Sequence, residues 1–215
     1  MRATSIAGVL VVLAACACGG IEGSGKAAKE ARELPPFSAV EVSGAFRVQI
    51  AVATGPAPRV ELEGDDNLLP HVRAVVVGER LTLDLDTWRV SPRVPLVATV
   101  RTAALRTLEI NGANTLTATG VVGDELSVEA NGSTTVTLKG QVTRLALDLN
   151  GSAEVDALGL TTTASDVDIA GSGHVSVCAT DTLRIDIAGS GDVTYACDPR
   201  TLEQQVTGSG RVMKK

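Results

Sequence analysis

The sequence of 215 residues has few aromatic side chains, since Phe, Trp and Tyr together make up only 2% of it. A core without large rings has to be built from Val, Leu, Ile and Ala. Such residues suit flat, repeated layers of strands better than a globular core packed around rings. Charged residues make up 20% of the chain, so the composition does not predict a disordered acidic protein.

Clusters of basic residues are also missing, apart from the terminal pair Lys214 and Lys215, and the formal net charge is −6. Phosphate binding needs clustered Lys and Arg, so the sequence argues against a general nucleic-acid binder. Histidine is scarce as well, with only His71 and His174 present. A histidine metal site or a Ser-His-Asp triad needs several groups to converge. We therefore expect no catalytic residues and no cofactor.

The first apolar run, Ile6 to Ala15, follows a single positive charge at Arg2 and is too short to span a bilayer. It ends in Leu13-Ala14-Ala15-Cys16, which resembles a bacterial lipobox. We predict a lipoprotein signal peptide over residues 1–15 and lipidation, such as palmitate, at Cys16. A plain secretory signal with an incidental cysteine is the alternative. Ala17 follows the cysteine, and by resemblance to Gram-negative lipoproteins this favours attachment to the outer membrane of the cell envelope.

Residues 16–36 begin with four Gly and one Ser within ten residues and continue with Ala and charged residues. This composition predicts a flexible tether between a lipid anchor and a folded domain over residues 37–215. A short helix over Lys26 to Glu33 would be marginal by itself, and Pro35 and Pro36 would end it. From Phe37 to Val100, alternating apolar residues predict a strand-rich half without a fixed period.

From Leu105 onward one fragment recurs: a small residue, a glycine and usually a serine. The recurring glycines are 20, 19, 20, 18 and 19 residues apart, and they are Gly112, Gly132, Gly151, Gly171, Gly189 and Gly208. Apolar residues stand two positions before and four positions after each glycine. Each unit therefore reads as a strand, a bend and a second strand with one apolar face, which stacking would bury. The sequence predicts an all-β fold, a parallel β-solenoid with coils of about 19 residues.

These glycines, with Asn111, Asn131 and Asn150 before the first three, are interpreted as structural bends. Asparagine tolerates a left-handed backbone, and a stacked column of asparagines would bond from one coil to the next. A phosphate-binding loop is a poor alternative, because no Lys-Ser/Thr ending and no helix follow.

Two further features carry chemistry. Cys178 and Cys197 lie one repeat apart, which favours a disulfide in an exported protein; free thiols or a metal pair are the alternatives. Asp148, Asp168 and Asp186 occupy the same position in neighbouring coils, with Asp166 and Arg184 nearby. This column indicates either a solvated acidic stripe, in which Arg184 would relieve the repulsion at Asp186, or a weak divalent-cation site.

The order of these elements resembles the bacterial head GIN domain family, described as auto-transporter adhesins, over about Phe37 to Met213. The segments that carry the resemblance are Phe37 to Gly44 with Val48, Val60 to Leu62, Gly64 to Leu68, Leu81 to Leu83, and the Gly-Ser-Gly bends at 171–173, 189–191 and 208–210. The resemblance implies a single-stranded right-handed β-helix and suggests adhesion, with no established catalytic residues.

The first functional hypothesis is an envelope-anchored, non-catalytic module that binds a glycan or an envelope protein. A polysaccharide lyase is the enzymatic alternative, because β-helices often serve that chemistry. A third hypothesis is a structural protein that self-associates through the ends of the solenoid, where strand edges are unpaired.

Overall fold

The computed structural model describes residues 20–55, 57–87 and 89–215. The predicted signal peptide and the predicted lipidation site Cys16 lie outside the described residues. Within them, no helix is long and apolar enough to cross a membrane.

The described chain is almost entirely β-structure, with one short 3-10 helix over Leu69–His71. The strands are β1 (Ile21–Glu22), β2 (Ala27–Glu33), β3 (Ala39–Gly44), β4 (Arg47–Val52), β5 (Arg59–Asp65), β6 (Val72–Val77), β7 (Arg80–Leu85), β8 (Val90–Ser91), β9 (Val97–Thr102), β10 (Thr107–Gly112), β11 (Thr115–Gly132), β12 (Thr135–Gly151), β13 (Glu154–Gly171), β14 (His174–Gly189), β15 (Asp192–Ala196), β16 (Thr201–Gly208) and β17 (Arg211–Lys214).

Two rows of parallel strands flank the glycine bends. The first row, before the bends, contains β7, β3, β10, the second halves of β11 to β14, and β16. The second row, after the bends, contains β9, β4, the first halves of β11 to β14, β15 and β17. The bend glycines pair with one another in register from coil to coil. The predicted parallel β-solenoid is therefore confirmed.

The solenoid begins earlier in the chain than the sequence period indicated. Ser43 and Gly44 pair in register with Asn111 and Gly112, and β4 pairs with the start of β11. β3, Gly44 and β4 thus form a coil of the same stack. The period is hidden because residues 53–106, which hold β5 to β9, are inserted between this coil and the next.

Antiparallel strands close the N-terminal end of both rows. β6 pairs with β7 at the end of the first row, and β2 pairs with β5, which itself borders β9 in the second row. From composition, the residues of β2 were expected to belong to a flexible tether, with a marginal helix over Lys26 to Glu33 as a further possibility. Both expectations are wrong for Ala27–Glu33, because pairing along the whole of β5 outweighs the helix propensity of Ala, Lys and Glu.

Asp65 fixes the start of the described chain to this end of the solenoid. Its buried carboxylate accepts hydrogen bonds from the backbone N–H groups of Gly25 (2.7 Å), Arg93 (2.9 Å) and Val94 (3.0 Å). Burial alone would raise the pKa of Asp65, but these three hydrogen bonds outweigh it and lower the pKa below its ordinary value. Residues 65–67 therefore form a clasp for residues 22–26.

The core lies between the strand rows and consists mainly of aliphatic side chains. The apolar residues two positions before the bends are almost fully buried, at 0–2% exposure in the inner coils; they are Ile110, Ala130, Leu149, Ile169 and Ile187. The only aromatic side chains in this core are Phe37 and Phe46, among the described residues. Stacking thus buries the face that each coil could not bury alone.

The backbone at the bends admits only glycine. All six predicted bend glycines have φ between +107° and +138°, a region that is forbidden to most side chains. A Cβ on Gly151 would also lie 2.7 Å from the carbonyl oxygen of Gly132 in the preceding coil. That carbonyl accepts a hydrogen bond from the Ser152 N–H. The left-handed residue is therefore the glycine and not the asparagine before it, contrary to the sequence analysis.

Candidate functional site

A continuous column of carboxylates runs along the outer surface of the first row. Each of its residues lies three positions before a bend glycine, and each pairs in register with the next. We call this column the acid ladder; it consists of Glu41, Glu109, Glu129, Asp148, Asp168 and Asp186. Because neighbouring parallel strands lie about 4.8 Å apart, the ladder holds like charges at that spacing along the sheet.

The ladder combines the predicted column of Asp148, Asp168 and Asp186 with three glutamates that the sequence analysis did not include. The signal for the glutamates was present, because every one of them also stands three positions before a glycine bend. Glu109 and Glu129 do not stand out in the sequence because the column changes there from Asp to Glu, and Glu41 does not because the bend at Gly44 lies outside the regular period. The structure thus doubles the length of the predicted column.

Asparagine side chains run beside the ladder, one position before the bends. The Asn131 amide donates to Glu129 at 2.9 Å and to the Asn111 side-chain oxygen at 3.0 Å. The Asn150 amide donates to Asp148 at 2.9 Å. The predicted asparagine column is therefore joined between Asn111 and Asn131 only, and its other amides hold the carboxylates in place.

Among the described residues, ion pairs with the ladder occur only at its N-terminal end. The Arg80 guanidinium lies 2.5 Å from the Glu109 carboxylate and 3.5 Å from that of Glu41. In the described part of the chain, no Lys or Arg forms an ion pair with Glu129, Asp148, Asp168 or Asp186. Four consecutive carboxylates therefore face solvent without a neutralising side chain.

Asp168 shows the electrostatic consequence. Burial raises the pKa of Asp168 above its ordinary value, and the negative charges of Asp186, Asp148 and Asp166 raise it further. The positive charge of Arg184 opposes this shift only in part. Ionisation of Asp168 is therefore less favourable than that of an isolated aspartate, as expected for stacked like charges.

The sequence predicted that Arg184 would relieve the negative charge of Asp186, but the structure shows no ion pair between these two residues. The Arg184 guanidinium contacts the Glu203 carboxylate at 2.9 Å, one coil further along the solenoid. A shallow depression of about 220 Å³ lies at this end of the ladder, lined by Asp168, Arg184, Asp186, Glu203 and Gln205 among others. Arg184 is thus paired with Glu203 of the next coil and lies beside the ladder.

The geometry of the ladder does not suit a chelated metal. The described residues contain no group of three or more His, Cys, Asp and Glu side chains that could hold a metal ion. Carboxylates arranged in a line along parallel strands point the same way and do not converge, whereas Ca²⁺ needs six to eight surrounding oxygens. The two histidines lie apart, His71 beside Asp86 at 3.0 Å and His174 beside Asp192 at 3.5 Å.

Cys178 and Cys197 are joined as a disulfide in the structure, with Cα atoms 5.2 Å apart. Cys178 pairs in register with Ala196, so Cys197 is one residue out of step, as its sequence offset indicated. The backbone of Cys197 resolves this mismatch by adopting a left-handed conformation with φ of 69°. The separation of the Cα atoms lies within the range usual for disulfides.

A groove of about 420 Å³ lies beside the bend at Gly44. Its lining is mainly small and apolar, and it includes Gly44, Ala45, Leu85, Val90 and Leu96. The one carboxylate in its wall, Asp84, is paired with Arg73. This groove therefore presents no combination of acid, base and nucleophile.

Comparison with known proteins gives a consistent result. Residues 36–199 match the family described as "Putative auto-transporter adhesin, head GIN domain". No curated protein sequence is significantly similar to this chain.

Solved structures share its architecture. A putative adhesin from Bacteroides fragilis NCTC 9343 superposes with a TM-score of 0.74 at 18% identity, covering 91% of this chain and 100% of that chain. A putative lipid binding protein from Parabacteroides distasonis ATCC 8503 gives a TM-score of 0.56 at 20% identity, over 91% and 99% of the two chains. At such low identity, these similarities show the fold alone.

Proposed function

Because the chain belongs to the head GIN domain family, we propose that it is a non-catalytic binding module displayed at the cell envelope, and that the acid ladder is its binding surface. The partner class that fits this surface is an envelope protein with a cationic segment. Adhesion, the activity after which the family is described, is a function of this kind.

The observation that carries the proposal is the unneutralised stretch of the ladder from Glu129 to Asp186. Aligning four carboxylates costs the fold free energy, since like charges directly opposite each other on neighbouring strands are destabilising. Lysine and arginine side chains of a partner would relieve that repulsion. A rigid sheet fixes the spacing of the acceptors, so little conformational entropy is lost when a partner binds.

Lipid attachment at Cys16 fits this role and forms part of the proposal. A lipid on the predicted mature N-terminus would join the clasped end of the solenoid to the membrane, with the outer membrane as the proposed site. Labelling with a radioactive or clickable fatty acid tests it: wild-type chain should incorporate label and the Cys16→Ser variant should not. Equal labelling of both would contradict the proposed anchor.

A cationic peptide provides the direct test of the binding surface. Full chain is immobilised and titrated with a ten-residue lysine peptide at several salt concentrations. The triple variant Asp148→Asn, Asp168→Asn, Asp186→Asn should bind at least tenfold more weakly than wild type. Binding to wild type should weaken as salt is raised, because exposed charges are screened.

The matched control removes three negative charges from other exposed positions, with Asp124→Asn, Glu125→Gln and Glu154→Gln. This control should bind within about twofold of wild type if the ladder geometry matters and net charge does not. Equal weakening of both triple variants would show nonspecific charge attraction, and would reject the ladder as the binding surface.

The weak divalent-cation site at Asp148, Asp168 and Asp186 remains a separate prediction. Its test is a calcium titration followed by calorimetry or by thermal unfolding. No response at millimolar calcium would reject the cation site while leaving the proposed cationic partner in place.

A further inference from the structure

The two ends of the solenoid are built differently. At the N-terminal end, the inward side chains of edge strand β6 are mostly covered: Val72 is 2% exposed, Ala74 is 8% exposed and Val76 is partly buried. At the C-terminal end, β16 pairs only with β14 and β17 only with β15, among the described strands. All eight residues of β16 are exposed. The C-terminal end therefore has both unpaired backbone groups and an uncovered core.

The inward side chains of β16 show what is missing. Leu202 and Val206 are 38% and 39% exposed, whereas Leu183 and Ile187, their partners in the preceding coil, are fully buried. In the described structure no further coil lies over Leu202 and Val206. Apolar side chains and strand edges exposed together are a template for pairing with another chain.

The side chains of β16 would match those of a second β16 strand that runs in the opposite direction. If a second β16 lies antiparallel to the first about a two-fold axis at Gln204, then Leu202 faces Val206 of the second copy. In the same register the two Gln204 side chains face each other, and Glu203 faces Gln205. Apolar groups thus meet apolar groups, amides meet amides, and no two like charges are opposed.

Gln204 itself supports this arrangement. The equivalent position in the preceding coils is an inward apolar residue, such as Ile185 or Val167. A glutamine at a core position would be unsatisfied beneath another apolar coil, but two glutamines on a two-fold axis can hydrogen-bond to each other. Single buried amides of this kind fix register and partner number in other assemblies.

We propose that this protein forms a two-fold dimer in which the β16 strands of two copies pair antiparallel, centred on Gln204. The occupant of the open end is a second copy of the chain. Pairing within one continuous sheet places the acid ladders of both copies on the same side of the dimer. A two-fold contact also closes the assembly, whereas a head-to-tail contact would leave ends free and produce filaments.

Cysteine crosslinking tests the register. In full chain with Cys16→Ser and Cys18→Ser, the substitution Gln204→Cys places two thiols directly opposite each other across the axis. Mild oxidation should convert most of this variant to a covalent dimer. The control Val206→Cys places its two thiols roughly 14 Å apart, at about 3.4 Å per residue over four residues, and should remain monomeric under the same treatment.

Solution mass gives the second measurement. Light scattering on the chain without introduced cysteines should show a dimer that dissociates on dilution, and Leu202→Lys should weaken the dimer at least tenfold. Circular dichroism of the variant confirms that it is folded. A monomer at all concentrations, equal crosslinking of Gln204→Cys and Val206→Cys, or species that grow with concentration would each overturn the proposal.

Discussion

Glycine at each of the six bends after Leu105 meets two separate demands. The backbone has a positive φ, and the carbonyl oxygen of the preceding coil occupies the space where a Cβ would lie. Either demand alone favours glycine, and together they explain why the residue recurs although its neighbours vary among Asn, Ala and Thr. This is also why the glycines could be recognised as bends from the sequence: the constraint is local and repeats in every coil.

At this scale, Gly151→Ala tests the bend. The variant should lose about 2–3 kcal/mol of unfolding free energy, because strain at φ of +118° adds to the clash with the Gly132 carbonyl. Gly123→Ala is the matched control, since a Cβ there meets nothing within 4 Å. Urea unfolding midpoints measure both, and an equal effect of the two substitutions would contradict the explanation.

Asp168 gives a prediction for pH dependence. Its pKa in the folded protein lies above the unfolded value of about 3.9. Between these two pKa values the folded state holds more protons, so the unfolding free energy falls as the pH rises. Asp168→Asn should therefore stabilise the protein near pH 7, by on the order of 0.5 kcal/mol after solvent screening.

The same variant should have little effect below the unfolded pKa, where the aspartate is protonated in both states. Thermal melts from pH 3.5 to pH 7 measure this, with Asp124→Asn as a control away from the ladder. A gain in stability that did not depend on pH would show that packing, and not charge repulsion, is responsible.

Among the elements, β14 and the loop after β15 are linked covalently by Cys178 and Cys197. We predict that peptide mass spectrometry under non-reducing conditions finds these two residues linked in mature protein. Replacing both with serine should cost about 3 kcal/mol, the usual contribution of a disulfide that closes a loop of this length. Labelling of both residues by a thiol reagent without prior reduction would contradict the linkage.

The strands differ in how far the sequence predicts them. In β10 to β14, apolar residues alternate and recur, so pairing partners follow from the period. β2 has no such pattern, since Ala27–Glu33 is made of Ala, Lys, Glu and Arg. Its strand conformation depends on pairing with β5, from Arg59 to Asp65, and on the Asp65 clasp. Contacts over that sequence distance leave no local signal.

For the whole molecule, the repeat made the architecture predictable, because a unit that cannot bury its own apolar face has to stack. The insertion of residues 53–106 and the antiparallel cap were not predictable in the same way, since neither repeats. The ladder lies between these cases. Its position followed from the period, but its full length depended on recognising that the coil at Gly44 belongs to the stack.

Hydrogen exchange should reflect this organisation. In dilute protein, amides of β12 and β13 should exchange most slowly, because coils cover them on both sides. Amides of β16 and β17 should exchange fastest among the strands, while β7 should be protected by its pairing with β6. Uniform protection along the solenoid would indicate that it unfolds as one cooperative unit.

The N-terminal end of the solenoid is held by the Asp65 clasp and the C-terminal end is open. This contrast also determines how the molecule responds to force. Each coil is bonded only to its neighbours, so tension between the termini would peel coils one after another from the open end. A coil of about 19 residues would release roughly 60 Å of chain at about 3.4 Å per residue. The bond between Cys178 and Cys197 would withhold one such length. If the proposed lipid anchors it, the protein would lengthen in steps and absorb load before detaching.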